Sequence, residues 1–133
     1  MKKNSVLIAI ISLIAYSATA QTKIPAKDAA KHLNETVTIS DKVYSTKLIE
    51  NTNMVLLDLG GEHPNQYLTV VIRGEDRSKF NSRPEEYYKG REVIVTGKLI
   101  DYRGKPEIVV SSPDDLKLNM NDGIIKQPIK TGN

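Results

Sequence analysis

From Tyr87 to Leu116 the chain reads Tyr-Tyr-Lys-Gly-Arg-Glu-Val-Ile-Val-Thr-Gly-Lys-Leu-Ile-Asp-Tyr-Arg-Gly-Lys-Pro-Glu-Ile-Val-Val-Ser-Ser-Pro-Asp-Asp-Leu. Gly90 stops a helix. A long alternating strand follows from Glu92 to about Tyr102, Arg103-Gly104 makes a hairpin turn, and a further strand runs from Glu107 to Ser111 with Pro106 at its start. This order suits the closing half of a small β-barrel.

Working back from that stretch, Tyr67 to Arg73 predicts a strand with Leu68, Val70 and Ile72 on one register and Tyr67, Thr69, Val71 and Arg73 on the other. Met54 to Leu59 predicts another, with Val55, Leu57 and Leu59 facing inward. Gly60-Gly61-Glu62-His63-Pro64-Asn65 separates the two. Thr36 to Leu48 is the longest strand; to serve two sheets it must coil, and a bulge is expected near Asp41. Ahead of it, Pro25 opens a short helix over Ala26 to Leu33 that ends at Asn34, a residue tolerant of the left-handed conformation. Between the third and fourth strands, a helical connection starts around Glu75. It carries Phe80 as a plug and a capping-box spacing from Ser82 to Glu85. Pro113-Asp114-Asp115-Leu116 reads as a turn opening a final helical turn.

The N-terminal residues have the form of an export signal. Lys2 and Lys3 precede an apolar run from Val6 to Ala15, and Ala18-Thr19-Ala20 supplies small residues for cleavage before Gln21. The run is shorter than the roughly 20 apolar residues that a membrane span needs. The expected organisation is therefore a cleavable signal peptide over 1–20, a folded domain over 21–118 and a polar tail over 119–133, the product being periplasmic or secreted without a stable membrane span. Removing the leader takes two of the nineteen Lys and Arg, leaving seventeen against sixteen Asp and Glu, a net charge of +1. The chain has no cysteine, no tryptophan and one phenylalanine, so no disulfide staples it and the core is expected to be aliphatic.

Helix, three strands, helix and two strands is the order of the OB-fold. From about residue 24 to 118 the chain resembles the tRNA-anticodon-like, nucleic-acid-binding OB-fold group found in small exported bacterial proteins and beside secreted nucleases. The residues that carry the resemblance are Ala29-Ala30-Lys31-His32-Leu33-Asn34-Glu35-Thr36-Val37-Thr38-Ile39, then Tyr88-Lys89-Gly90-Arg91-Glu92-Val93-Ile94-Val95-Thr96-Gly97-Lys98, and Tyr102-Arg103-Gly104-Lys105-Pro106-Glu107-Ile108-Val109-Val110. Asn34 stands where such sequences usually have glycine. The resemblance implies an all-β fold with short helices. More finely, it implies a five-stranded Greek-key barrel with a helix between strands three and four and an extra short N-terminal helix. It also implies binding of single-stranded nucleic acid or oligosaccharide on the face of strands two and three.

On this chain the residues expected at that face are Lys42, Tyr44 and Lys47 from the first strand, Tyr67, Thr69 and Arg73 from the third, and Tyr102, Arg103 and Lys105 from the last hairpin. Tyrosine rings offer bases a stacking surface and the cations neutralise phosphates. The same rings also serve as cross-strand packing residues. The alternative partner is an envelope protein or a glycan.

No catalytic group, cofactor site or metal site is expected. His32 and His63 stand alone, without cysteines or paired carboxylates at zinc spacing, and His63 is a candidate only for ligand contact, because Gly60-Gly61 lets its loop approach a partner closely. Asp114-Asp115 and Glu85-Glu86 are adjacent side chains that suit turns and helix starts better than a cation or an acid–base pair. Asp58, Glu75, Asp76, Arg73 and Arg91 do not match the spacing of a thermonuclease-type barrel, so the expectation is a binding protein and not an enzyme.

Overall fold

The computed structural model describes residues 23–81 and 83–122. The expected signal peptide lies outside these residues, as does most of the tail. Among the described residues no helix is long and apolar enough to cross a membrane.

The protein is mostly β. Its strands are β1 (Lys23–Ile24), β2 (Thr36–Ile49), β3 (Met54–Leu59), β4 (Leu68–Ile72), β5 (Glu92–Lys98), β6 (Ile100–Tyr102), β7 (Lys105–Val110) and β8 (Leu116–Leu118). They form one eight-stranded sheet in the order β6-β7-β4-β3-β2-β5-β8, with β1 added in parallel to β2. The hydrogen-bonded path does not return on itself, so the sheet as paired differs from the expected five closed strands. Two differences account for the number. The expected fourth strand is divided by Leu99 into β5 and β6, and the flanking segments contribute β1 and β8.

The alternation of strand side chains builds the core directly. Val55, Leu57 and Leu59 of β3, Leu68, Val70 and Ile72 of β4, Val93 and Val95 of β5, and Ile108 of β7 have no exposed surface. β2 joins the two halves of the sheet. Its first half, Thr36 to Lys42, pairs with β5, and its second half, Val43 to Ile49, pairs with β3. The bulge falls between Val43 and Ser45, at Tyr44 and not at Asp41. Asp41 still belongs to the regular ladder with β5, opposite Val93, and its carboxylate accepts the Ala26 N–H at 3.0 Å.

That bond anchors the N-terminal helix, which is a 3₁₀ helix over Ala26–His32 and not an α-helix. Asn34 takes φ 69° after it, so its tolerance of the left-handed region is used. The connection between β4 and β5 is a 3₁₀ turn, Arg77–Lys79, followed by the single-turn helix α1 (Pro84–Tyr87). Ser82 of the expected capping box lies outside the described residues. The residue that caps α1 is Arg83, without a side-chain cap, and Glu85 instead accepts from Arg77 at 2.8 Å. Phe80 is buried in the core. Gly90 (φ 74°) ends this segment, and its N–H returns to the Val43 carbonyl at 2.8 Å.

The expected helical turn is present as a 3₁₀ turn, and a short strand that was not expected follows it. Ser112 caps a 3₁₀ turn at Pro113–Asp115 through the Asp114 N–H, and Leu116–Leu118 then pairs with β5. This places Leu116 in the core and its carbonyl within 3.2 Å of the Tyr88 hydroxyl, which donates to it. Asn119 continues the docking, its N–H on the Glu92 carbonyl at 2.9 Å and its side-chain amide on Ser40 Oγ at 3.3 Å.

Burial, with the neighbouring Tyr87 adding to it, pushes the Tyr88 phenol from 10.0 up to about 12. The unfolded chain gives up this proton first. The stability attached to the neutral phenol is therefore complete below pH 10 and is lost as pH rises toward about 12. Denaturant midpoints measured across that interval are expected to fall more steeply for the native chain than for Tyr88→Phe. The variant costs about 1 kcal/mol at neutral pH through the lost hydrogen bond. Parallel curves for the two proteins would show that the phenol is not held this way.

Candidate functional site

The inward residues of β3 and β4 leave a second set of side chains on the outer face, and pairing arranges them in rows. Ser45 lies opposite Asp58, Asp58 opposite Thr69, and Thr69 opposite Glu107, giving a polar row across β2, β3, β4 and β7. One step along, Lys47, Leu56, Val71 and Val109 form a more apolar row. Above these rows lies a groove of about 700 Å³. Met54, Leu56, Val71 and Pro106 supply its apolar walls, and Tyr102, Arg103 and Lys105 bound it from the turn between β6 and β7. The volume falls in the range of ordinary small-ligand sites, about 300–1,000 Å³.

The polar row is a connected network. Asp58 is only 5% exposed, and its two carboxylate oxygens accept the hydroxyls of Ser45 at 2.9 Å and Thr69 at 3.2 Å. Each hydroxyl oxygen in turn accepts from the loop between β3 and β4. Ser45 Oγ takes the His63 N–H at 3.1 Å, and Thr69 Oγ1 takes the Gln66 side-chain amide at 3.2 Å. The loop is tied from its far side as well, since Lys105 Nζ donates to the Pro64 carbonyl. Because both hydroxyl protons go to Asp58, the Gln66 amide must present its N–H to Thr69. Its oxygen, Oε1, is left buried without a hydrogen-bond partner. Glu107, at the end of the row, has its carboxyl raised above the ordinary range by burial, an effect that the Arg73 guanidinium partly opposes.

Of the nine residues expected at the site, Lys47, Thr69, Tyr102, Arg103 and Lys105 line this groove. Tyr102 is 52% exposed, with the Arg103 guanidinium 5.3 Å from its ring centre. Arg73 follows β4 and acts on Glu107. Lys42, Tyr44 and Tyr67 are not among the lining residues. The Lys42 ammonium sits 5.1 Å from the centre of the Tyr44 ring, and Lys42 pairs with Glu92 on the β5 side of the bulge. The Tyr67 ring lies against Gly60, where an added Cβ would meet its Cδ2 at 2.9 Å.

Residues without an expected role also line the groove, chiefly Asp58, Gln66 and Glu107. Asp58 and Glu107 read as ordinary polar positions of alternating strands. His63, the loop histidine that the sequence offers as a candidate ligand contact, lines the groove. Among the described residues no three His, Cys, Asp or Glu side chains gather as a metal site. Asp58 is engaged by two hydroxyls, and Asp76 is paired with Lys79 at 2.8 Å.

No protein-family model and no curated protein matches the chain. Among solved structures it is similar to an aspartyl-tRNA synthetase from Leishmania major Friedlin, with a TM-score of 0.50 and 12% identity. The likeness covers 80% of this chain and 22% of that one, so the chain spans a small part of the synthetase, and at this identity the likeness is one of fold alone.

Proposed function

We propose that the chain is an exported, non-enzymatic OB-type module whose outer groove binds single-stranded nucleic acid. The barrel reading is supported by the order of pairing. β2 pairs with both β3 and β5, β4 pairs in parallel with β7, and β5 and β6, separated only by Leu99, act as one bent strand reaching from β2 to β7. The likeness to part of an aspartyl-tRNA synthetase is compatible with a nucleic-acid ligand. Export rests on the form of residues 1–20.

The observation that carries the ligand reading is the rim: Arg103 and Lys105 stand beside the half-exposed Tyr102 at one side of an apolar-walled groove, and Lys47 lines it from β2 at the other. A base stacks on such a ring while phosphates lie along the cations. Three phosphate contacts to a single strand imply a slope of about −2 for log K against log salt. Titration of the full chain with a labelled oligothymidylate is expected to give that slope. The triple variant Lys47→Ala, Arg103→Ala, Lys105→Ala is expected to flatten it. Absence of binding at low salt would overturn the reading.

A protein or glycan partner from the envelope is the second reading, favoured by the apolar wall of Met54, Leu56 and Val71 and by the near balance of seventeen cations against sixteen anions after the leader. Binding of such a partner would not weaken between low and moderate salt.

A further inference from the structure

The groove is electrically sorted from floor to rim. Its floor carries two carboxylates, Asp58 and Glu107, on either side of Thr69; Asp58 is engaged by two hydroxyls, Glu107 is left to accept from a ligand, and Gln66, whose buried Oε1 has no partner, lines the groove as well. Its rim offers the cations Lys47, Arg103 and Lys105. An anion is therefore repelled from the floor and attracted to the edge, whereas a neutral group rich in N–H donors gains at the floor. Gln66 Oε1 carries a standing cost, because a buried carbonyl oxygen without a donor has lost its water and gained nothing.

Resting on the nucleic-acid reading, we infer that the groove selects a base edge that presents adjacent N–H donors, guanine above all, held by Glu107 and Gln66 with its phosphate outside. Guanine carries an imino N–H and an amino group side by side, so one carboxylate accepts both and a neighbouring amide oxygen takes the remaining amino hydrogen. Adenine and cytosine carry one amino group each. Thymine and uracil carry a single N–H flanked by two carbonyl oxygens, which the acidic floor repels. Burial of Glu107 acts in the same direction, since a desolvated carboxylate gains more from a ligand donor than one already in water.

The test uses the full chain and oligothymidylates of one length, either unbroken or carrying a single central dG, dA or dC. The dG oligomer is expected to bind about tenfold tighter than unbroken oligothymidylate, with dA and dC between them, the size that a good bidentate base contact supplies. Glu107→Gln replaces two acceptors by an amide and is expected to remove the dG preference, read as the ratio of dG-oligomer to oligothymidylate affinity within the variant. Gln66→Leu deletes the orphan acceptor without changing charge and is expected to reduce the same preference. An unchanged far-ultraviolet circular dichroism spectrum and a cooperative urea transition show that each variant is folded. Equal affinity for all four oligomers, or a dG preference unchanged in both variants, overturns this inference and leaves the proposed function standing. Failure of every oligomer to bind overturns both.

Discussion

Leu57→Ala is expected to lower the free energy of unfolding by about 2–5 kcal/mol, measured by urea denaturation of the full chain. Leu57 is central to β3, fully buried, and flanked across the sheet by Thr46 and Val70. Alanine there removes apolar contact and leaves a cavity between strands whose backbones are held by ladders on both sides, so the site has little freedom to collapse. A domain of this size has a total stability of about 5–15 kcal/mol, so the loss is a large share of it. Leu56→Ala is the control. Leu56 is the next residue, but it points to the outer face and is only half-buried. It should cost about 1 kcal/mol or less and weaken the groove wall instead. Equal destabilisation by the two variants would mean that the inward and outward faces of β3 are misassigned.

The second large effect is at Asp58. Its carboxylate ties together Ser45 and Thr69, and through them His63 and Gln66 of the loop over the groove. Hydrogen bonds to a charged group contribute about 1.5–3 kcal/mol each; relief of the buried charge offsets part of that, so Asp58→Ala is expected to cost about 2–4 kcal/mol. The loop also loses its anchorage on the sheet, so affinity for an oligonucleotide should fall by about tenfold or more. Asp58→Asn, which keeps the shape and one acceptor, should fall between the two proteins in both measurements. A stable Asp58→Ala protein with unchanged affinity would show that the network neither holds the loop nor shapes the groove.

The core and the turns were legible from local pattern, because their determinants are local. Period-two alternation identifies Val55, Leu57 and Leu59, and Leu68, Val70 and Ile72, as inward residues, and all six are buried. Arg103-Gly104 reads as a hairpin turn, and both residues have positive φ, 52° and 83°. The site was less legible because it depends on register between strands. The bulge at Tyr44 reverses the parity of β2: Ile39 and Val43 face inward before it, and Ser45 and Lys47 share the outer face after it. Lys42 and Lys47 therefore belong to opposite sides of one discontinuity, which no alternation rule positions to a single residue. Asp58 becomes buried only because Ser45 and Thr69 arrive beside it from other strands. Leu116–Leu118 is too short for a strand signal of its own, and its place is determined by the free edge of β5.

The parallel pairing of β4 with β7 sets a timetable for folding. Until Lys105–Val110 is available, Thr69 to Ile72 presents an unoccupied, strongly hydrophobic edge, and no hairpin can satisfy it because its partner lies across the whole segment containing α1 and β5. Such distant partners must meet by diffusion of the intervening chain, which slows assembly relative to neighbours joined by short turns. A nascent chain cut before Lys105 would retain that bare edge permanently, making it the point where self-association begins.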